Sequence, residues 1–291
     1  MTAVTDPFDG LALAPLGPAD AGRGAALSAE IGWNQTEADW RYMLGNGAGW
    51  GRSDADGRLV GSAVALSYGV FGWVCMVLVS ETFRRRGLAT DLMNRVIADL
   101  ERDGVIAGLD ATPAGREVYS HLGFEDVYRL ERLWAGRVAI ADDGPETPVV
   151  ITAMRRDEID EVASYDATTF GADRAPLLRH LFERAPERAF VARAGQWIAG
   201  YVLGRDGREV TQIGPVTAED EDVAIALVRR ALERLDGGAV IDAGEHQTAF
   251  TGWLKRSGFE VQRPYIRMLR GRTLPVDRPA YVFAVAGPEL G

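Results

Sequence analysis

The sequence predicts an α/β (α+β) fold built as two tandem halves, and three observations point to it. Apolar runs of strand length alternate with amphipathic helical stretches along the 291 residues. The order of these elements in the first half recurs in the second. The ends of the halves also match in detail: Leu109-Asp110-Ala111, a helix and Leu122-Gly123-Phe124-Glu125 correspond to Ile241-Asp242-Ala243, a helix and Ser257-Gly258-Phe259-Glu260. A duplicated domain is the economical explanation, and the length suits about two ordinary domains.

The elements follow in order. Leu11–Leu16 reads as a strand, and Ala19–Ile31 and Thr36–Leu44 as helices, with Asn34 as N-cap of the second. Gly45-Asn46-Gly47-Ala48-Gly49 reads as loop, and Asp54-Ala55-Asp56-Gly57 as the turn of a hairpin. Gly72–Val79 is a near-continuous apolar strand. The helix after it places Leu88, Leu92, Met93, Val96, Ile97 and Leu100 at three- and four-residue steps and stops at Gly104. Val105–Ala111 is a short buried strand, Thr112-Pro113 opens a helix with a hydroxyl cap and a proline at the first position, and Phe124–Ala135 returns as strand. Glycine, proline and acid concentrate between Ala141 and Pro148, so the domains are expected at 1–140 and 149–291 with 141–148 as linker. In the second half, strands at Val149–Met154, Ala189–Ala194, Trp197–Leu203, Glu209–Val216 and Ala239–Ala243 alternate with helices at Asp157–Phe170, Ala175–Ala185, Glu219–Leu235 and Thr248–Ser257. Tyr281–Val285 reads as a strand seeking a sheet edge, within a tail that crosses back towards the first half.

Composition narrows the function. With 32 Lys+Arg against 42 Asp+Glu the net charge is −10, and 47% of residues are hydrophobic. Such a chain buries a core, and its acidity argues against a nucleic-acid partner. The one cysteine, Cys75, forbids an internal disulfide and reads as a buried structural thiol. His121, His180 and His246 lack metal-ligand spacing, so no metal is expected. The chain lacks an apolar run of membrane-spanning length and a leader pattern, so a soluble cytoplasmic protein without a membrane partner is expected.

Chemistry concentrates in Met76-Val77-Leu78-Val79-Ser80-Glu81-Thr82-Phe83-Arg84-Arg85-Arg86-Gly87-Leu88-Ala89-Thr90. A buried strand leads through a charged loop into a helix. The first-turn amides of that helix have no internal partner and attract anions. Small residues at Gly87 and Ala89 let a diphosphate approach, and Arg84, Arg85 and Arg86 add charge in an otherwise acidic chain.

Arg84-x-x-Gly87-x-Ala89 after an apolar strand resembles the acetyl-CoA pyrophosphate loop of the GNAT N-acetyltransferase superfamily. Tyr119-Ser120-His121-Leu122-Gly123-Phe124 resembles that family's Tyr-x-x-x-Gly-Phe element. The likeness covers about residues 10–135. It implies two tandem GNAT-like domains, each a mixed, mostly antiparallel central sheet flanked by helices. It further implies acetyl-CoA as co-substrate, held by Val77, Leu78, Val79, Arg84, Arg85, Arg86, Gly87, Leu88, Ala89 and Thr90. Tyr119 is the implied catalytic residue, donating a proton to the departing thiolate, and a backbone N–H of the Cys75–Val79 strand would meet the oxyanion. The acceptor is expected to be a primary amine of a small molecule, attacking directly in a ternary complex. Protein amines, or an acyl-CoA sensor without turnover, are the alternatives. Glu81, Glu37, Asp39, Asp110 and water are the candidates for taking the amine's proton; His121 is a weaker catalytic candidate. Trp33, Glu37 and Trp40 are expected substrate contacts, in an aromatic group with Tyr42 and Trp50. A homodimer is left open.

The second half has lost these features. Glu219-Asp220-Glu221-Asp222 stand where the first half has arginines, and Leu254 stands at the tyrosine position. The resemblance is therefore to a tandem member whose second domain is degenerate and no longer binds acetyl-CoA.

Overall fold

The computed structural model describes Phe8 and residues 10–291. By packing, the chain forms two compact units. The first comprises the residues up to Ser67 together with Val74–Ala107; the second comprises Tyr68–Trp73 with Gly108–Gly291. The expected linker 141–148 lies inside the second unit.

In the first unit, β1 (Ala12–Leu16), β2 (Gly47–Ser53), β3 (Leu59–Ser67) and β4 (Phe71–Val79, from Val74 on) lie in that order in the sheet. β1 with β2 and β2 with β3 are antiparallel. Helices α1 (Ala21–Glu30) and α2 (Glu37–Asn46) pack together, and α3 (Leu88–Arg102) lies on β3. The six expected apolar residues of α3 are all buried. Each such burial contributes about 1.5–3 kcal/mol relative to exposure, which fixes the helix face against the sheet. The side chain of Leu92 packs directly over Gly61 of β3.

Two local expectations are corrected here. Thr36, not Asn34, caps α2: its hydroxyl accepts from the Asp39 amide, and the Asp39 carboxylate accepts the Thr36 amide at 2.7 Å. Gly45–Gly49 is not a loop but the end of α2 running into β2. A Cβ on Gly47 would lie 2.4 Å from the Ala65 carbonyl oxygen, and one on Gly49 would lie 2.6 Å from the Leu44 side chain. These glycines serve close packing rather than a turn.

The second unit holds β5 (Ile106–Ala111, from Gly108 on), α4 (Pro113–Ser120), β6 (Phe124–Ala135), β7 (Val150–Ala153), α5 (Ile159–Phe170), α6 (Ala175–Arg184), β8 (Phe190–Ala194), β9 (Trp197–Arg205), β10 (Thr211–Ala218), α7 (Glu221–Leu232), β11 (Ala239–Gly244), α8 (Thr248–Arg256), β12 (Glu260–Arg270) and β13 (Val282–Ala284). Its strands run β5-β12-β6-β11-β13-β10-β9-β8-β7. All described pairings in this unit are antiparallel except the short β10–β11 contact at Thr211–Gln212.

This order contains an exchange. β12, from the second half of the sequence, pairs with β5, while β6, from the first half, pairs with β11. Each exchanged strand carries an arginine to the other half's aspartate. Arg267 of β12 grips Asp110 of β5 at 2.8 and 2.9 Å, and Arg132 of β6 grips Asp242 of β11 at 2.7 and 2.8 Å. The faces of these guanidinium groups lie over Tyr128 of β6 and Tyr265 of β12 respectively.

β13 is no edge strand. It lies between β10 and β11, pairing with Val216–Thr217 on one side and Ala243 on the other. Beyond Gln212 and Val240 no β10–β11 pairing continues among the described residues, and β13 pairs with both strands there.

Candidate active site

Within the first unit, β4 carries Val77 and Val79 partly exposed and Leu78 buried, as alternation requires. The chain then turns through Ser80, which is buried and donates its hydroxyl to Glu30 at the end of α1 at 2.5 Å. A 3-10 turn over Glu81–Phe83 follows, and the Arg84 amide closes it on the Glu81 carbonyl. Arg85 then adopts φ 58° and Gly87 φ 87°, both left-handed. At Gly87, the N-cap of α3, that conformation is free of Cβ strain.

No side chain caps α3, so its first-turn amides are left for a ligand or water. Arg84 bonds the Val79 carbonyl and Arg86 the Thr82 carbonyl, while Arg85 has no side-chain partner among the described residues. None of the three forms an ion pair among the described residues. The one acid in the first turn, Asp91, is turned to Arg52, whose Nε and Nη2 reach it at 3.0 and 2.9 Å. A helix dipole and three exposed, uncompensated guanidinium groups thus converge on one loop. The side chains of Leu78 and Leu88 are buried in the core, so only their backbone can meet a ligand; Ala89 and Thr90 are half-buried in the first turn.

The matching helix start in the second unit is built the opposite way. Asp220 caps α7, accepting the Val223 amide at 2.9 Å, and Glu221 accepts the Ala249 amide. The chain's own carboxylate fills the place an anion would take. Leu254 is fully buried.

Tyr119 lies on α4 in the second unit, half-buried, with its ring over Gly115 and 6.2 Å from Phe124. A Cβ on Gly115 would lie 2.8 Å from that ring, so the glycine is what seats it. Burial pushes the Tyr119 hydroxyl up to about 12, and among the described residues it makes no hydrogen bond. It is a protonated donor at neutral pH. His121 is exposed and bonded to the Glu117 carbonyl.

Several other candidates are committed elsewhere. Trp40 is wholly buried, bonded to Ser28 and packed on Gly24, so it is core and not a substrate contact. Trp50 donates its ring N–H to Asp99 of α3 at 2.8 Å. Asp39 is spent on the α2 cap. Asp110 is buried against Arg267; burial raises its carboxyl and the guanidinium pulls the other way. Cys75 is buried with its sulfur 3.7 Å from that of Met43. Glu37 is exposed and paired with Arg41, Glu81 is exposed, and Trp33 is half-buried. Two features had no sequence signal. Met76 takes φ 49° in the middle of β4 while its carbonyl accepts from Ser62. Gln35 is buried with its side-chain oxygen unpartnered among the described residues.

The sequence matches the acetyltransferase (GNAT) family profile over residues 26–124 and the acetyltransferase (GNAT) domain profile over residues 162–284. The chain belongs to the GNAT acetyltransferase family. It is a tandem member, with one GNAT domain in each half. The uncharacterized N-acetyltransferase YitH of Bacillus subtilis (strain 168) is 22% identical over 266 residues, covering 91% of this chain and 93% of that protein. Similar GNAT folds include a putative acetyltransferase from Pyrococcus horikoshii, with TM-score 0.78, 19% identity and coverage of 100% and 99% of the two chains. A tandem GNAT protein from the clavulanic acid biosynthesis pathway has TM-score 0.58 and 16% identity, covering 89% of this chain and 98% of that one. GNAT acetyltransferases use acetyl-CoA as co-substrate. Among the described residues there is no cluster of metal ligands and no helix long and apolar enough to cross a membrane.

Proposed function

We propose that this GNAT acetyltransferase binds acetyl-CoA through its first half alone and passes the acetyl group to a primary amine of a small molecule. The observation that carries the proposal is the contrast of helix starts. α3 has no side-chain cap and follows three arginines that form no ion pair among the described residues, whereas α7 is capped by Asp220 within a run of four acids. The diphosphate is held by the amides of Leu88, Ala89 and Thr90 with Arg84, Arg85 and Arg86, and Gly87 gives it room. The pantetheine runs along Val77, Leu78 and Val79. We keep 1–140 as the catalytic domain, 149–291 as the degenerate one and 141–148 as the linker. β13, seated between β10 and β11, supports the degenerate assignment, since it consumes the backbone groups along which a second donor would lie.

The acceptor must lose a proton to react, because an alkylamine is mostly protonated at pH 7, with a pKa around 10.4. Glu81 or water takes that proton, Asp39 and Asp110 being engaged. A net charge of −10 draws ammonium groups to the protein, and an N–H on the acceptor would satisfy the Gln35 oxygen in the loop beside Trp33 and Glu37. Attack is direct, in a ternary complex. Tyr119 holds its proton more tightly than a free thiol, with a pKa near 8.5, so it steadies the departing thiolate as a hydrogen-bond donor.

The test is calorimetry of acetyl-CoA with the full chain, followed by thiol release across amino acids, polyamines, aminoglycosides and peptides. One acetyl-CoA per chain and turnover of small amines are expected. Absence of acetyl-CoA binding refutes the reading, and turnover confined to peptides moves the acceptor to protein amines.

A further inference from the structure

The middle of β4 carries a second constructed feature. Met76 is buried and non-glycine, yet it holds φ 49°. A left-handed residue with a Cβ is disfavoured and persists only where its surroundings impose it. One restraint on that conformation is a hydroxyl on the neighbouring strand. Ser62 of β3 is fully buried, and its Oγ donates to the Met76 carbonyl at 2.7 Å. A strand carbonyl is ordinarily met by a backbone amide of the neighbouring strand; this one has a buried side-chain donor. The peptide joining Met76 to Val77 is planar and trans, so its N–H points opposite to its C=O. With the carbonyl held on Ser62, the Val77 amide is aimed away from Ser62.

We propose that Ser62 is a positioning residue for acyl transfer: by holding the Met76 carbonyl it aims the Val77 N–H at the thioester carbonyl of acetyl-CoA. The inference rests on the proposed donor site, but it concerns a residue that touches neither substrate. No bond is made or broken at Ser62, and its hydroxyl keeps its proton throughout. Val77 then provides a donor fixed in place before charge develops on the carbonyl oxygen, which is the arrangement that stabilises an oxyanion without reorganisation.

The experiment compares the affinities of acetyl-CoA and CoA, by calorimetry, for the wild-type chain and Ser62→Ala. The two probes share every contact except the acetyl group, so CoA binding reports whether the variant is folded and its arginine loop intact. In the wild type acetyl-CoA is expected to bind about two- to tenfold more tightly than CoA, the worth of one neutral hydrogen bond. In Ser62→Ala the affinity for CoA is retained and that preference is lost. A variant that keeps the preference overturns the proposal. So does a wild type with no preference, or a variant that loses both ligands alike, since Ser62 would then serve only the fold. If the wild type binds neither ligand, it is the donor-site reading that fails.

Discussion

Replacing Arg132 by methionine isolates the exchange of strands between the halves. The guanidinium reaches Asp242 at 2.7 and 2.8 Å, and the aspartate is wholly buried. Burial works against the charge of Arg132, but Asp242 outweighs it and the proton is held more firmly than on a free arginine. Methionine keeps much of the volume and leaves Asp242, among the described residues, with the Gln212 amide at 3.1 Å. Removing one partner of a buried pair costs about 3–5 kcal/mol. At about 2–4 °C per kcal/mol for a cooperative unit of this size, the melting temperature should fall by roughly 6–20 °C. The double variant Arg132→Met with Asp242→Leu should regain most of that loss, because no unpaired charge remains buried. Calorimetric melting of the wild type, both single variants and the double variant closes the cycle. A coupling below about 1 kcal/mol, with the double variant no better than Arg132→Met, would refute the assignment of the pair as the clasp of the exchange.

The proposed site yields further expectations. Arg84, Arg85 and Arg86 each changed to alanine should weaken acetyl-CoA binding about tenfold or more, since a hydrogen bond to a charged group is worth about 1.5–3 kcal/mol. Calorimetry at two salt concentrations checks this, and affinities that stay at the wild-type value would remove the arginines from the site. Tyr119→Phe should lower kcat by about 10²–10³, the cost of losing one preorganised donor to a developing anion, and leave acetyl-CoA affinity unchanged. Because the folded Tyr119 keeps its proton up to about 12, above the ordinary tyrosine value near 10, its donor form is fully present below pH 10. It should contribute no alkaline limb to the kcat profile there, and a limb that vanishes in Tyr119→Phe would contradict the reading. Asp220→Ala should cost about 1 kcal/mol through the lost α7 cap while acetyl-CoA still binds once per chain. A stoichiometry of two would show that the second half is not degenerate.

Much of the fold was legible because hydrophobic period reports which face is buried. The apolar positions of α3 and the cap at Thr112 came directly from spacing and residue type. The loop of Arg84–Gly87 was legible for a similar reason: glycine, charge and a strand-to-helix step stand together in the chain. Period says nothing about which strand lies beside which, so the insertion of β12 between β5 and β6 left no trace. Nor did the seating of β13 within the sheet, because a strand buried between two neighbours and one at an edge share the same apolar run. Gly47 and Gly49 read as loop because glycine is ambiguous between a turn and a crowded strand. Trp40 read as a binding residue because an aromatic ring near the expected cleft looks the same whether it faces solvent or Gly24. Ser62 was silent, since a lone serine in a strand advertises nothing until the carbonyl it meets is seen.

The exchange also sets a timetable for synthesis. Asp110 and its partner Arg267 are 157 residues apart in the chain. At about 5–20 residues per second, roughly 8–30 s pass between the emergence of β5 and that of the strand that completes it. During that interval β5 and β6 stand with open hydrogen-bonding edges, the state in which strands pair with the wrong chain. The tandem arrangement therefore places its greatest risk of misassembly in the nascent protein, before the second half exists to close the first.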